Sequence, residues 1–142
     1  MTTPSLILVL EDETYRVDFF RDKFAPALIT ADPRVLVERL RERAPEVATV
    51  YLDHDLGIME YTPYPRELTG RDAASAIDRM VRAEGFDLSH VEFVIHSMNP
   101  PGAARIALAL TSAGLRVRRV PFFDLARAHG MEIWTASVED VE

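Results

Sequence analysis

Apolar and polar positions along the chain switch repeatedly between a strand-like and a helix-like period. Ser5 to Leu10 (SLILVL) is a continuous aliphatic run, as in a strand buried on both faces of a parallel sheet. From Glu11 to Phe24, the residues Tyr15, Phe19 and Phe20 fall near helical spacing and predict a helix. Ala27 to Thr30 predicts a short second strand. Asp32-Pro33 then reads as an N-cap followed by proline at the first helical position. Val35, Leu36, Arg39 and Leu40 carry that helix to about Ala44. Val47 to Leu52 (VATVYL) predicts a third strand.

The pattern breaks from Gly57 to Leu68. GIMEYTPYPREL holds two prolines, two tyrosines and no clear period, and reads as a functional flap or an extra loop. Tyr61 and Tyr64 there offer rings on which a base can stack, although loop tyrosines more commonly cover a core edge. Thr69 or Asp72 caps a helix to about Ala83, with Ala73, Ala74, Ile77, Met80 and Val81 facing inward and Gly85 ending it. Val91 to Ile95 predicts a fourth strand. Pro100-Pro101-Gly102 opens a helix over Ala103 to Ser112, closed by Gly114. Arg116 to Val120 predicts a fifth strand. A last helix is expected around Asp124 to His129, then a short extended piece from Met131 to Trp134. Strands and helices alternating with short connections define an α/β fold: a flavodoxin-like, doubly wound parallel sheet of five strands in the order 2-1-3-4-5, in one domain over residues 1–142.

Composition narrows the partners. The formal charge of −7 argues against broad nucleic-acid binding, though a local Arg can still hold a small anion. Fifteen of the sixteen basic residues are Arg, the side chain that grips phosphate bidentately, so a phosphate site is permitted. With no cysteine, disulfides and zinc–thiolate sites are excluded, and the chain fits a reducing cytoplasm. Leu6 to Leu10 is too short for a membrane span. An exposed helix face is available for a homodimer.

Open parallel sheets bind ligands outside the carboxyl ends of their strands. Glu11, Asp12 and Glu13 follow the first strand, Asp53, His54 and Asp55 the third, and His96, Ser97, Met98 and Asn99 the fourth. Carboxylates crowded at one rim repel, a cost that a divalent cation such as Mg²⁺, an Arg or a proton relieves. Two imidazoles add groups that titrate near neutral pH and can serve as acid and base for phosphoester chemistry. If the third and fourth strands are neighbours, His54 and His96 can flank one small group. Arg16 lies one turn after Asp12 and can point back to hold phosphate, or remain an ordinary surface charge. Each residue also has a plainer explanation. Asp53-His54-Asp55 can be a turn, His96 a satisfied core histidine, Asn99 or Ser97 an N-cap, and Glu11 and Asp12 a helix start favoured by the dipole.

The segments LEDETYR, YLDHDLG, the TG before the next helix and IHSMNPPGA, in this order from Leu6 to about Val120, resemble the cyclic-phosphate-processing receiver-like proteins, divergent relatives of response-regulator receiver domains. The resemblance implies that Glu11 and Asp12 stand at an acidic metal-binding pair. It implies that Asp53 stands at the phospho-accepting aspartate and Ser97 at the switch hydroxyl. Two departures from ordinary receivers follow: Val120-Pro121 replaces the usual Lys-Pro after the fifth strand, and histidines occupy positions 54 and 96. The implied activity is hydrolysis of a cyclic phosphate bond in a nucleotide-like small molecule. His54, His96, Asp53 and Asp55 would be catalytic, Arg16, Ser97 and Asn99 would bind the substrate, and Glu11, Asp12 and Asp53 would hold Mg²⁺ or another divalent cation. The alternative is a receiver-like signalling or protein-interaction module. A metal-dependent nuclease ranks last for want of a basic groove.

Overall fold

The computed structural model describes residues 3–24, 26–56 and 68–130. Five parallel strands pair in the order β2-β1-β3-β4-β5, as the sequence pattern predicts. They are β1 (Leu6–Leu10), β2 (Ala27–Thr30), β3 (Val47–Leu52), β4 (Glu92–Ile95) and β5 (Arg116–Arg119). The helices between and after them are α1 (Thr14–Lys23), α2 (Pro33–Arg43), α3 (Gly70–Arg82), α4 (Pro100–Ser112) and α5 (Phe122–Ala128). All of the proposed flap except Leu68, including Tyr61 and Tyr64, and the piece after residue 130 lie outside the described residues.

The two faces of the sheet carry separate cores. One gathers Leu8, Leu10, Val50, Leu52, Phe93 and Ile95 under α2, α3 and α4. The other gathers Val9, Tyr51 and Val94 under the aromatic residues Phe19, Phe20 and Phe122 of α1 and α5. Burial on both faces explains why β1 is aliphatic throughout and β3 largely apolar, without polar alternation.

Local chemistry sets the helix starts. The Asp32 carboxylate accepts the Arg34 N–H at 2.9 Å, with Pro33 opening α2. Thr69 and Asp72 both cap α3, in a reciprocal box: Asp72 accepts the Thr69 N–H at 2.7 Å and Thr69 Oγ1 accepts the Arg71 N–H at 3.2 Å. Asn99 Oδ1 accepts the Gly102 N–H at 3.1 Å and caps α4. Two helix boundaries differ from expectation. Helix α1 starts at Thr14, not Glu11, because Glu11 turns its carboxylate back onto the N–H groups of Asp12 and Glu13. Helix α5 starts at Phe122, not Asp124, because Phe122 is drawn into the core while its N–H bonds the His96 carbonyl at 2.9 Å.

Candidate functional site

Strand register decides which rim residues meet. Leu10, Leu52 and Ile95 align across β1, β3 and β4, and all three face the α2–α4 side. Side chains alternate along a strand. The next residue on each strand therefore points to the α1/α5 side, and these residues are Glu11, Asp53 and His96. The backbone pairing continues far enough to hold the row: Asp53 N–H bonds Leu10 O and His96 N–H bonds Leu52 O, both at 3.1 Å. One oxygen from each carboxylate and one ring nitrogen of His96 lie within 4.8 Å of one another, and all three residues are buried.

Each member is fixed by bonds of its own. Glu11 Oε1 lies 2.9 Å from His96 Nε2 and 3.8 Å from Arg16 Nη1. Glu11 Oε2 accepts the N–H groups of Asp12 at 3.0 Å and Glu13 at 3.1 Å. Asp53 Oδ1 accepts the His54 N–H at 2.9 Å. The His96 ring lies among Phe20, Tyr51 and Phe122, with centroids 5.0, 6.4 and 6.5 Å away. Its Nδ1 is buried and has no hydrogen-bond partner among the described residues.

Burial dominates the electrostatics. It pushes the Glu11 carboxyl above its ordinary value, against the pull of the Glu13 N–H and Arg16. It pushes Asp53 up to about 7, helped by the negative charge of Glu11. It pushes His96 down to about 4, with Asp53 pulling the other way, so the imidazole is neutral at neutral pH. Two buried carboxylates beside a neutral imidazole form a donor set suited to a divalent cation, which would offset their desolvation.

A cleft of about 310 Å³ opens above this row. Among the described residues five carboxylates line it: Glu11, Asp12, Glu13, Asp53 and Asp55. Arg16 is the one cation among its described lining residues, and Met98 and Asn99 complete the wall. The Arg16 guanidinium sits over the Phe122 ring, 4.9 Å from its centroid, and its Nε–H donates to Tyr15 Oη at 3.0 Å. Stacking and hydrogen bonding thus hold it toward the acids before any ligand arrives.

His54 goes elsewhere. Alternation sends its side chain to the α2–α4 side, where a Cβ on Gly102 of α4 would come 2.4 Å from ring atom Cγ. A Cβ on Gly70 would stand 1.8 Å from the Asp53 carbonyl oxygen. These two glycines let the starts of α3 and α4 press against the Asp53–His54 segment, and Gly70 N–H bonds the His54 carbonyl at 2.9 Å. The expectation that His54 and His96 flank one group is therefore corrected: β3 and β4 are neighbours, but the imidazoles point to opposite faces. His54 Nδ1 instead lies 2.8 Å from Asp55 Oδ1, which also accepts from Asn99 Nδ2 at 3.2 Å. Through that contact His54 and Asn99 orient a carboxylate of the cleft wall.

Ser97 is also displaced from its expected place. His96, not Ser97, stands in the row with Asp53. Ser97 points to the opposite side, where its Oγ accepts the Asn99 N–H at 3.1 Å, and it does not line the cleft. Beyond β5, Val120 continues the pairing, with its N–H on Ile95 O at 2.9 Å, and packs in the α1/α5 core. Arg119 faces away and donates to the Ser97 carbonyl at 3.1 Å. Glu13 and Met98 line the cleft without having been given a role from sequence. Their place directly after β1 and β4 was the available signal.

A five-stranded parallel sheet with an acidic cleft at its carboxyl rim defines a receiver-like domain. The chain belongs to the cyclic-phosphate processing receiver domain family, whose profile matches residues 7–112. Solved receivers share the fold. CheY in the CheX–CheY–BeF3–Mg²⁺ complex from Borrelia burgdorferi represents them, in a match with TM-score 0.53, 14% identity, and coverage of 86% of this chain and 84% of that one. The phosphorylated cyanobacterial phytochrome response regulator RcpA matches with TM-score 0.55, 12% identity, and coverage of 89% of this chain and 91% of that one. No curated protein matches the sequence significantly. No helix among the described residues is long and apolar enough to cross a membrane.

Proposed function

We propose that this protein hydrolyses a cyclic phosphate ester of a small, nucleotide-like molecule in the cleft between Glu11, Asp53 and Asp55. The observation that carries the reading is the pre-positioned guanidinium of Arg16, the one cation among the described lining residues, facing a wall of carboxylates in a chain of this family. Such a wall repels a bare anion and accepts one whose charge is shared with a cation. Glu11, Asp12 and Asp53 would hold a divalent ion, which supplies charge neutralisation at the phosphate. Arg16 donates to the phosphate oxygens.

Asp55, tied to His54 and Asn99, takes the proton of the attacking water. The water oxygen bonds to phosphorus as one ester P–O bond breaks. The departing oxygen takes up the proton that Asp55 received, and the ring opens to a phosphomonoester. His54 positions Asp55, and in the metal-free protein His96 positions Glu11. This division of labour replaces a direct histidine pair. The test is hydrolysis of a panel of cyclic phosphates, followed by ³¹P NMR with divalent cation present. The native chain opens at least one ring, and Asp55→Asn and Asp53→Asn abolish the opening. Absence of opening by the native chain across the panel refutes the reading.

A second reading, phosphorylation of Asp53 for signalling, is favoured by the placement of Asp53 at the end of β3 in a fold shared with receivers. BeF3 and Mg²⁺ accompany CheY in the solved complex. Val120 in place of a cation and His96 in the row beside Asp53 count against it. Acetyl phosphate with Mg²⁺, read by intact mass, gives a labile adduct on Asp53 if this reading holds.

A further inference from the structure

We propose that Glu11, Asp53 and His96 form a mixed carboxylate–imidazole site for a divalent transition ion of the Mn²⁺, Fe²⁺ or Zn²⁺ type, in preference to Mg²⁺. This deepens the reading above, since it names the cation which that reading requires.

Spacing is the first argument. Glu11 Oε1 and His96 Nε2 are 2.9 Å apart. Adjacent ligands of an octahedral ion, each about 2.1 Å from the metal, stand about 3.0 Å apart. The pair is thus already at ligand separation, and an oxygen of Asp53 completes a group whose donor atoms all fall within 4.8 Å. Glu11 Oε2 keeps its two backbone N–H bonds, so Oε1 can bind without freeing the side chain. Glu11 and Asp53 both open onto the cleft, from which water or phosphate oxygens fill the remaining positions.

Donor chemistry is the second argument. Mg²⁺ keeps oxygen ligands and several waters, whereas imidazole suits Mn²⁺, Fe²⁺ and Zn²⁺. The His96 imidazole is fully buried, so no water can replace it as the ligand on that side. Binding through Nε2 leaves the ring proton on Nδ1, which has no hydrogen-bond partner among the described residues and belongs to a ring surrounded by aromatic side chains. Metal-ligating histidines ordinarily donate that proton, and its want of an acceptor costs roughly 10–100-fold in affinity. The site is therefore exchangeable rather than permanently loaded.

The test is calorimetric titration of the metal-free full chain with Mg²⁺, Mn²⁺ and Zn²⁺, combined with electron spin-echo modulation of the Mn²⁺ form. Mn²⁺ and Zn²⁺ are expected to bind about tenfold or more tightly than Mg²⁺. The echo should carry the ¹⁴N modulation of a coordinated imidazole. His96→Gln removes the nitrogen signal and most of the preference, whereas His54→Gln keeps both. Glu11→Gln, which leaves His96 in place, weakens Mn²⁺ binding and serves as a second variant if His96→Gln fails to fold. Equal affinity for Mg²⁺ and Mn²⁺ with no nitrogen modulation in the native chain overturns this inference and leaves the cation requirement standing. No binding of any of the three ions overturns both.

Discussion

Nε2 of His96 meets Oε1 of Glu11 at 2.9 Å, and neither side chain reaches solvent. This contact ties β4 to β1 across β3, beneath the cleft. Removing the imidazole leaves a buried carboxylate short of a donor and opens space among Phe20, Tyr51 and Phe122. His96→Ala should therefore cost about 3 kcal/mol of stability, since hydrogen bonds to charged groups contribute roughly 1.5–3 kcal/mol and a void adds to the loss. Urea titration checks this: the midpoint should fall while the slope stays unchanged.

The Asp53 carboxyl makes the metal-free protein pH-sensitive in an unusual direction. In the folded chain it holds its proton to about pH 7, against a reference value of 3.8. Between those values the native state binds more protons than the unfolded one, so this group's contribution to stability falls as pH rises and is fully lost above about pH 7. The total is on the order of 4 kcal/mol, taking about 1.4 kcal/mol per pKa unit. Asp53→Asn removes the titration. Its stability relative to the native chain should climb from roughly pH 4 to 7 and then level off, in chelator-treated samples. A flat difference across that range contradicts the assignment.

Gly102 and His54 should behave as a coupled pair. Alanine for glycine inside a helix ordinarily gains up to about 1 kcal/mol. Here the added methyl lands on the imidazole, and overpacking costs typically about 1–3 kcal/mol. Gly102→Ala should destabilise the native chain but be tolerated beside His54→Ala. A double-mutant cycle on denaturation midpoints should give a coupling energy above about 1 kcal/mol.

Arg16 is expected to set affinity for the phosphate group. Arg16→Ala should raise KM roughly tenfold or more, the equivalent of one charge-assisted hydrogen bond. Arg16→Lys should recover little, because an ammonium cannot reproduce the guanidinium's place over the Phe122 ring together with its fork of donors. Steady-state kinetics on whichever cyclic phosphate is opened measures both.

The central strands β1, β3 and β4 were legible because buried parallel strands are rich in apolar residues, and the exposed edge strand β5 (RVRR) only from its place in the strand–helix alternation. The starts of α2, α3 and α4 were legible because Asp32, Thr69 and Asn99 are capping residues. The polar rim was legible because acids and histidines stand directly after three strands. What sequence reasoning missed was parity. His54 and His96 each lie close behind a strand, but the former is the second residue beyond Leu52 and the latter the first beyond Ile95. Odd and even offsets face opposite sides of the sheet, so one residue of difference parts the two rings. Ser97 was misplaced by the same single step. The start of α1 was missed because Glu11 uses its side chain on its own neighbours, a local turn that apolar periodicity does not register.

The acids crowded around the Arg16 guanidinium have a kinetic consequence. A free polyanion drifting toward this opening first meets repulsion, and added electrolyte shortens the reach of that repulsion. Its capture should quicken as ionic strength rises, opposite to the behaviour of basic phosphate-binding grooves. An anion arriving already chelated by a cation escapes the barrier, so at low salt the rim admits escorted phosphates and turns bare ones away.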